Sequence, residues 1–107
     1  MTPQDVEEIV ESQLTDPGFT GPGDAADVRA ALVRPFLQNF MLNDTYEQMS
    51  APPKKVVSYW VVAVGQFYSV FYDPGTKEFG LADLIREGTI PQTSGVRGDL
   101  VSTFRAM

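Results

Sequence analysis

The sequence predicts an α+β domain with N-terminal helices packed on an antiparallel meander sheet of three to four strands, followed by a short C-terminal helix. Apolar residues in the first half recur with helical spacing, whereas residues 55–82 are rich in β-branched and aromatic residues divided by turn signals. The chain has 107 residues, the length of one domain. We therefore expect a single domain, 1–107, with a helical half (1–49) and a mainly β half (54–107).

The first predicted helix begins after Thr2, which is a favourable N-cap. Pro3 suits the first helical position, and Asp5 completes a variant of the capping box. An apolar stripe at helical spacing follows, formed by Val6, Ile9, Val10 and Leu14. The Asp-Pro-Gly sequence at 16–18 ends the helix.

A second helix is predicted to start near Asp24. Its apolar stripe consists of Val28, Ala31, Leu32, Phe36 and Phe40. Pro35 lies inside this stripe and removes a backbone hydrogen bond, so we expect a kink or a break there. The Ser-Ala-Pro-Pro sequence at 50–53 predicts a linker between the two halves.

The second half predicts a hairpin and a third strand. Residues 55–64 and 67–72 form the paired strands around a two-residue loop, Gly65-Gln66. A turn at 73–76 leads into a strand at 77–82. Residues 83–88 resemble one capped helical turn, and 89–98 read as a loop. The spacing of residues 99–107 favours a helix, although a fourth strand stays open.

Pairing the hairpin with Val64 opposite Phe67 predicts two apolar faces. One face would carry Tyr59, Val61, Ala63, Tyr68, Val70 and Tyr72, and the other Trp60, Val62, Val64, Phe67, Ser69 and Phe71. A sheet with one solvated face should alternate with polar residues, so the second face needs cover. That cover would be residues 83–87 with the C-terminal segment, a sheet curled around its own core, or a binding partner or second copy of the chain at a self-association surface.

Tyrosine tolerates partial exposure, so the three tyrosines Tyr59, Tyr68 and Tyr72 are the candidate partner-binding residues of the hairpin. The candidate core residues are Trp60, Phe67 and Phe71.

The net charge of −6 belongs to the first half of the chain. Residues 1–53 hold nine acidic and two basic residues, whereas residues 54–107 hold five and six. The acidic side chains Glu7, Glu8 and Glu11 lie opposite the apolar stripe of the first helix, as a solvated face or as a binding footprint for a basic partner. Clustered bases are confined to Lys54-Lys55, so nucleic-acid binding is not expected.

The composition excludes several kinds of chemistry. The chain has no histidine and no cysteine, which rules out Ser-His and Cys-His catalysis and thiolate metal sites. We predict no enzymatic activity, no metal site and no cofactor. The first residues are acidic, and no apolar run approaches the roughly 20 residues that a membrane helix needs. A cytoplasmic location without membrane association is therefore expected.

The segment 60–62 and the segment 67–82, which joins an aromatic strand to a turn and a short strand, resemble the sheet of small bacterial immunity proteins. The resemblance implies a protein that neutralises a toxin by binding it. The first hypothesis is a non-enzymatic protein-binding domain, of immunity or inhibitor type, that occludes its partner. The alternatives are a bent-sheet domain that binds a small apolar ligand and a homodimeric structural subunit of a larger assembly.

Overall fold

The computed structural model describes residues 1–50 and 54–107 and has an α+β fold. In chain order its elements are α1 (Pro3–Leu14), α2 (Asp24–Ala31), β1 (Leu32–Met41), α3 (Tyr46–Ser50), β2 (Val56–Val64), β3 (Tyr68–Asp73), β4 (Glu78–Asp83), β5 (Thr93–Gly98) and α4 (Leu100–Arg105). Most of the predicted linker, residues 51–53, lies outside the described residues.

The predicted fold class is confirmed: N-terminal helices pack on an antiparallel meander. The sheet has five strands in the order β1-β2-β3-β4-β5, however, rather than three to four. One added strand, β5, forms from the second part of the predicted loop at 89–98. The helical turn expected at 83–88 does not form, because Asp83 closes β4 and residues 84–86 are irregular. The short C-terminal helix is α4.

The other added strand corrects the prediction of a long second helix. This helix ends at Ala31, and Leu32 adopts an extended conformation (φ −63°, ψ 140°) that starts β1. Pro35 lies where the β1–β2 register is irregular, between Leu32 and Phe36. Proline is tolerated at such an irregularity in an edge strand, so it interrupts a strand here rather than kinking a helix.

The N-terminal prediction is confirmed in detail. The Asp5 amide donates to the Thr2 hydroxyl (3.2 Å), and the Thr2 amide donates to the Asp5 carboxylate (2.7 Å), which forms the capping box. The predicted stripe of α1 faces the sheet, with Val6, Val10 and Leu14 buried.

The helices cover one face of the sheet, called here the helix-side face. Its core consists of Val6, Val10, Leu14, Val28, Trp60, Val62, Ala63, Val70, Tyr72, Phe79, Leu81, Leu100 and Val101. Burial of this apolar surface supplies the main driving force for folding.

The opposite face forms a second core, called here the inner face, from Phe40, Tyr59, Val61, Phe71 and Ala82. The sheet curls around it. The Met41 amide at the end of β1 donates to the Pro91 carbonyl (2.9 Å), and the Asn43 amide donates to the Thr93 hydroxyl (2.7 Å). The first strand therefore meets the chain entering the last strand, which matches the curled-sheet alternative for covering the second apolar face.

Among the described residues, no helix is both long and apolar enough to cross a membrane.

Candidate functional site

The β2–β3 hairpin differs from the predicted register by two residues next to its loop, where Val64 lies opposite Ser69, and by one residue farther from the loop. Trp60 lies opposite Tyr72, and an irregularity between Val61 and Ala63 shifts the pairing. A shift of one residue turns side chains to the other face. Trp60 is therefore in the helix-side core and Phe71 in the inner core, so the prediction that they share a face is wrong. Both are buried, as expected.

The same shift separates the tyrosines that were expected to share a face. Tyr59 is buried in the inner core, and Tyr72 is buried in the helix-side core. Tyr68, at the start of β3, is 38% exposed. Phe67, expected in the core, is 69% exposed, because it belongs to the hairpin connection and precedes β3.

A charged cluster, called here the Arg97 cluster, closes the inner face. Arg97 Nε donates to Asp44 Oδ2 (2.8 Å), and a terminal nitrogen donates to Asp73 Oδ2 (2.8 Å). Its other terminal nitrogen donates to the Tyr59 hydroxyl (3.1 Å). The three charged side chains are only 10–17% exposed.

Backbone amides hold the carboxylates of this cluster in place. Asp73 Oδ1 accepts from the Gly75 amide (2.9 Å) in the turn after β3, and Asp44 Oδ1 accepts from the Gly95 amide (3.1 Å). Gly95 has φ +88°, and a Cβ built there would lie 3.1 Å from the Asp44 carbonyl oxygen. Glycine therefore allows β5 to approach Asp44 closely.

The Arg97 guanidinium also lies over aromatic rings of the inner face. Its carbon is 5.4 Å from the Tyr59 ring centre and 5.3 Å from that of Phe71, and the two rings stack 4.8 Å apart. A desolvated cation above aromatic faces is stabilised by their quadrupoles. Phe71 leaves no space for a side chain at Gly80, where a built Cβ would lie 2.2 Å from the ring.

The pKa values of the cluster follow from burial and pairing. Burial opposes ionisation of Asp73, but hydrogen bonds from Arg97, the Gly75 amide and Thr76 outweigh it and lower the pKa of the carboxyl. Burial raises the pKa of Tyr59, although the Arg97 hydrogen bond acts in the opposite direction. Burial disfavours the charge on Arg97, yet its bonds to Asp73, Tyr59 and Asp44 raise the pKa of Arg97.

The Arg97 cluster joins segments far apart in the chain and engages both carboxylates fully. Its arrangement suits a structural clamp. Sequence reasoning missed it because Asp44 and Arg97 are 53 residues apart. A signal was available in the single arginine of residues 89–98, flanked by the glycines Gly95 and Gly98.

The acidic face of α1 is only partly free. Glu7 and Glu8 are exposed, whereas the Glu11 carboxylate pairs with both terminal nitrogens of Arg29 on α2, one of them at 2.8 Å. The hydrogen bonds from Arg29 lower the pKa of Glu11. The helical pattern showed no base beside Glu11, because its partner comes from another helix.

An open cleft of about 420 Å³ lies at the β2–β3 end of the sheet, and it is called here the Phe67 cleft. Its lining includes Phe67, Leu84, Arg86, Ile90, Pro91 and Gln92. Beside the exposed Phe67 ring, Ile90 is 46% exposed. These two side chains therefore present apolar surface around one depression.

Across residues 1–50 and 54–107, no group of three or more His, Cys, Asp or Glu side chains is arranged to hold a metal ion. Comparison with protein-family models, with curated proteins and with solved structures finds no match to this chain.

Proposed function

We propose that this chain is a non-enzymatic protein-binding domain that anchors its partner at the Phe67 cleft. The observation that carries the proposal is the exposure of Phe67 and Ile90 (69% and 46%) around a single depression. Binding energy at protein interfaces concentrates in a few large side chains that become fully desolvated. An aromatic side chain has only two rotatable torsions, so it loses little conformational entropy for the contact area that it supplies.

The charged groups of the surface supply the second part of the proposal. Glu7 and Glu8 are exposed on a chain of net charge −6, which would speed the approach of a basic partner. Arg86 beside the cleft would orient a carbonyl or carboxylate of that partner. Tyr59 and Tyr72 are buried, so the anchoring role expected of the tyrosines passes to Phe67, with Tyr68 as a neighbour.

The narrower proposal is an immunity-type protein that occludes a toxin. It rests on the resemblance of the β2–β4 segment and on the small size and acidity of the chain. The alternative of a sheet enclosing a small apolar ligand has less support, because rings of Phe40, Tyr59 and Phe71 fill the inside of the curled sheet.

The test of the narrower proposal uses the product of the neighbouring open reading frame as the binding partner. We expect Phe67→Ala to weaken that complex at least about tenfold, as for an interface anchor. Tyr46→Ala is the matched control, because Tyr46 is 79% exposed and does not line the cleft. Equal affinities for the two variants would contradict the Phe67 anchor, and no complex with the neighbouring product would contradict the immunity-type role.

The broader proposal is tested in the cells that produce the protein, with a photo-crosslinking phenylalanine analogue in place of Phe67. A partner recovered from position 67 and not from position 46 is the expected result. The same crosslinked species from both positions would contradict a specific role of the cleft.

A further inference from the structure

The outer edge of β1 carries backbone groups that the sheet does not use. The Leu42 amide, just after β1, donates to the Lys55 carbonyl (2.7 Å). Phe36, Gln38 and Phe40 pair with β2 in the same register as Leu42 with Lys55. In an antiparallel ladder the backbone groups of successive residues point to alternate sides of the strand. The amides and carbonyls of the even-numbered residues therefore bond to β2, and those of the odd-numbered residues point outwards. The Met41 amide confirms this alternation, since it points away from β2 to Pro91 (2.9 Å).

Between Pro35 and Asn39, four outward groups form no hydrogen bond in the described part of the chain; Pro35 itself is buried, whereas Leu37 and Asn39 are exposed. The four groups are the Pro35 carbonyl, the Leu37 amide, the Leu37 carbonyl and the Asn39 amide. Within the described part of the chain, β1 pairs with β2, and no loop or helix backbone bonds to these four groups. The Asn39 carbonyl also points outwards, but it accepts a hydrogen bond from the side-chain amide of Gln38 (3.0 Å).

We propose that two copies of this chain pair through β1 in an antiparallel ladder, with the two-fold axis at Leu37. Each Leu37 amide would donate to the second copy's Leu37 carbonyl, and each Asn39 amide would donate to the second copy's Pro35 carbonyl. All four outward groups of each copy are then satisfied. A two-fold interface must be complementary to itself, and this edge meets that condition.

Two backbone groups take no part in this ladder, the Asn39 carbonyl and the Pro35 nitrogen. They explain why the edge favours a second copy over another peptide strand. In this register the Asn39 carbonyl faces the nitrogen of the second copy's Pro35, which has no hydrogen to donate. That carbonyl already has the Gln38 side chain as its donor. A general peptide strand would offer an amide at this place, whereas a second copy offers none and needs none.

The paired segment has natural limits on both sides. The Met41 amide is occupied by Pro91, so the second strand leaves the edge there. The departing residues of the second copy belong to the irregular segment between Leu32 and Phe36, where its strand bends. Five residues per copy, 35–39, therefore form the ladder.

The side chains of this segment suit such an interface. Residues 35–41 carry no charge, and Phe36 and Leu37 are 39% and 56% exposed. Edge strands that avoid pairing usually carry a charged side chain at such positions. Leu37 would lie directly opposite the second copy's Leu37 on the helix-side face, about 5.5 Å apart between Cα atoms.

The test is sedimentation equilibrium of the full chain at about 100 µM, where a micromolar dissociation constant gives mostly dimer. We expect a mass twice the 11.8 kDa of one chain. Leu37→Lys and Leu37→Glu should each raise the dissociation constant at least about tenfold, because two like charges then face each other on the axis. A mixture of the two variants should recover the dimer, since only a residue on the axis pairs with its own counterpart.

Two further variants test whether the dimer uses the backbone of this edge. Val56→Lys changes a side chain that is also exposed (47%) and lies outside residues 35–39, so it should leave the dimer intact. Asn39→Pro removes an outward amide without touching the β1–β2 bonds, and it should raise the dissociation constant about tenfold or more. Circular dichroism checks that each variant is folded.

A monomeric wild-type chain at this concentration would overturn the proposal. So would a dimer that survives Leu37→Lys and Asn39→Pro, because it would use another surface. Capture of a foreign strand by wild-type chain that stays monomeric would assign the edge to a different partner. None of these variants alters the Phe67 cleft, so this inference and the proposed function fail independently.

Discussion

The two faces of the sheet are closed by different means. On the helix-side face, the buried residues that α1, α2 and α4 contribute are apolar except for Thr103 of α4. On the inner face the sheet curls, and a guanidinium, Arg97, lies over Tyr59 and Phe71 with two carboxylates beside it. The helices close their face mainly by hydrophobic burial, whereas the inner face combines its apolar core with charges contributed by three separate segments.

Removal of the central ring of the inner face should have the largest effect. Phe71 is fully buried and contacts both Phe40 and Tyr59, so Phe71→Ala should lower the free energy of unfolding by about 3–5 kcal/mol. Denaturant titration measures this change, with Val56→Ala as an exposed control. A loss below about 1 kcal/mol would show that the inner face is not a packed core.

Removal of the Arg97 charge should have the second-largest effect on the free energy of unfolding. Arg97→Met keeps an apolar side chain over the rings but leaves Asp44 and Asp73 without their partner. The expected loss is about 3 kcal/mol, at the low end for buried ion pairs because Arg97 keeps 17% exposure. Arg105→Met is the matched control, since its pairs with Asp24 and Asp27 lie at the surface. Similar unfolding midpoints for the two variants would show that the Arg97 cluster contributes no more to stability than the surface pairs of Arg105.

The pH dependence of stability should report the same clamp. The pKa of Asp73 is lowered in the folded protein, so its contribution is present above its unfolded value of 3.8 and is lost as the pH falls through the folded value. Asp73→Asn should remove that contribution, and the stability of the variant should fall less steeply below about pH 4. Thermal unfolding between neutral and acidic pH measures the slope. Parallel curves of stability against pH for wild type and variant would show that ionisation of Asp73 does not stabilise the folded protein.

The smallest effect is expected on the outer side of α1. Glu11→Gln removes the pair with Arg29, whereas Glu7→Gln removes an exposed carboxylate that forms no ion pair in the described part of the chain. At low salt the first variant should be slightly less stable than the second, and high salt should abolish the difference because exposed pairs are screened. Chemical unfolding at two salt concentrations decides this, and equal stability at low salt would show that the Arg29 pair contributes nothing.

The sequence predicted the fold class because its strongest patterns are local. The capping box at Thr2 and the turn after Asp73 each lie within four residues, and both form as expected. The strand β1 was missed because Leu32, Phe36 and Phe40 are four residues apart. That spacing matches a helical face, but four is also a multiple of two, so it fits one face of a strand equally well. In the structure Phe40 lies in the inner core, whereas Leu32, before the irregularity, packs against the helix-side core. Pro35 was the only local sign against a helix.

The site could be predicted far less well than the fold. An irregularity of one residue near Val62 is invisible in the composition of β2, yet with the changed register Tyr59 and Tyr72 lie on opposite faces. The Arg97 cluster depends on side chains that meet after the sheet has curled. Contacts between residues that are distant in the sequence leave no periodic pattern in it. The exposure of Phe67 and the burial of Tyr59 could therefore not be predicted from the sequence.

The short outer edge of β1 also has a consequence for aggregation. Fibrils grow when strands of six or seven residues stack on uninterrupted edges. Within the described part of the chain, the missing Pro35 amide and the bond from the Met41 amide to Pro91 leave two free outward donors between residues 35 and 41, at Leu37 and Asn39. A stacking strand would have to break the Met41 bond and, with it, the contact that closes the curled sheet. The uncharged segment 35–41, with its exposed apolar side chains, therefore offers too short a free edge to favour fibril growth.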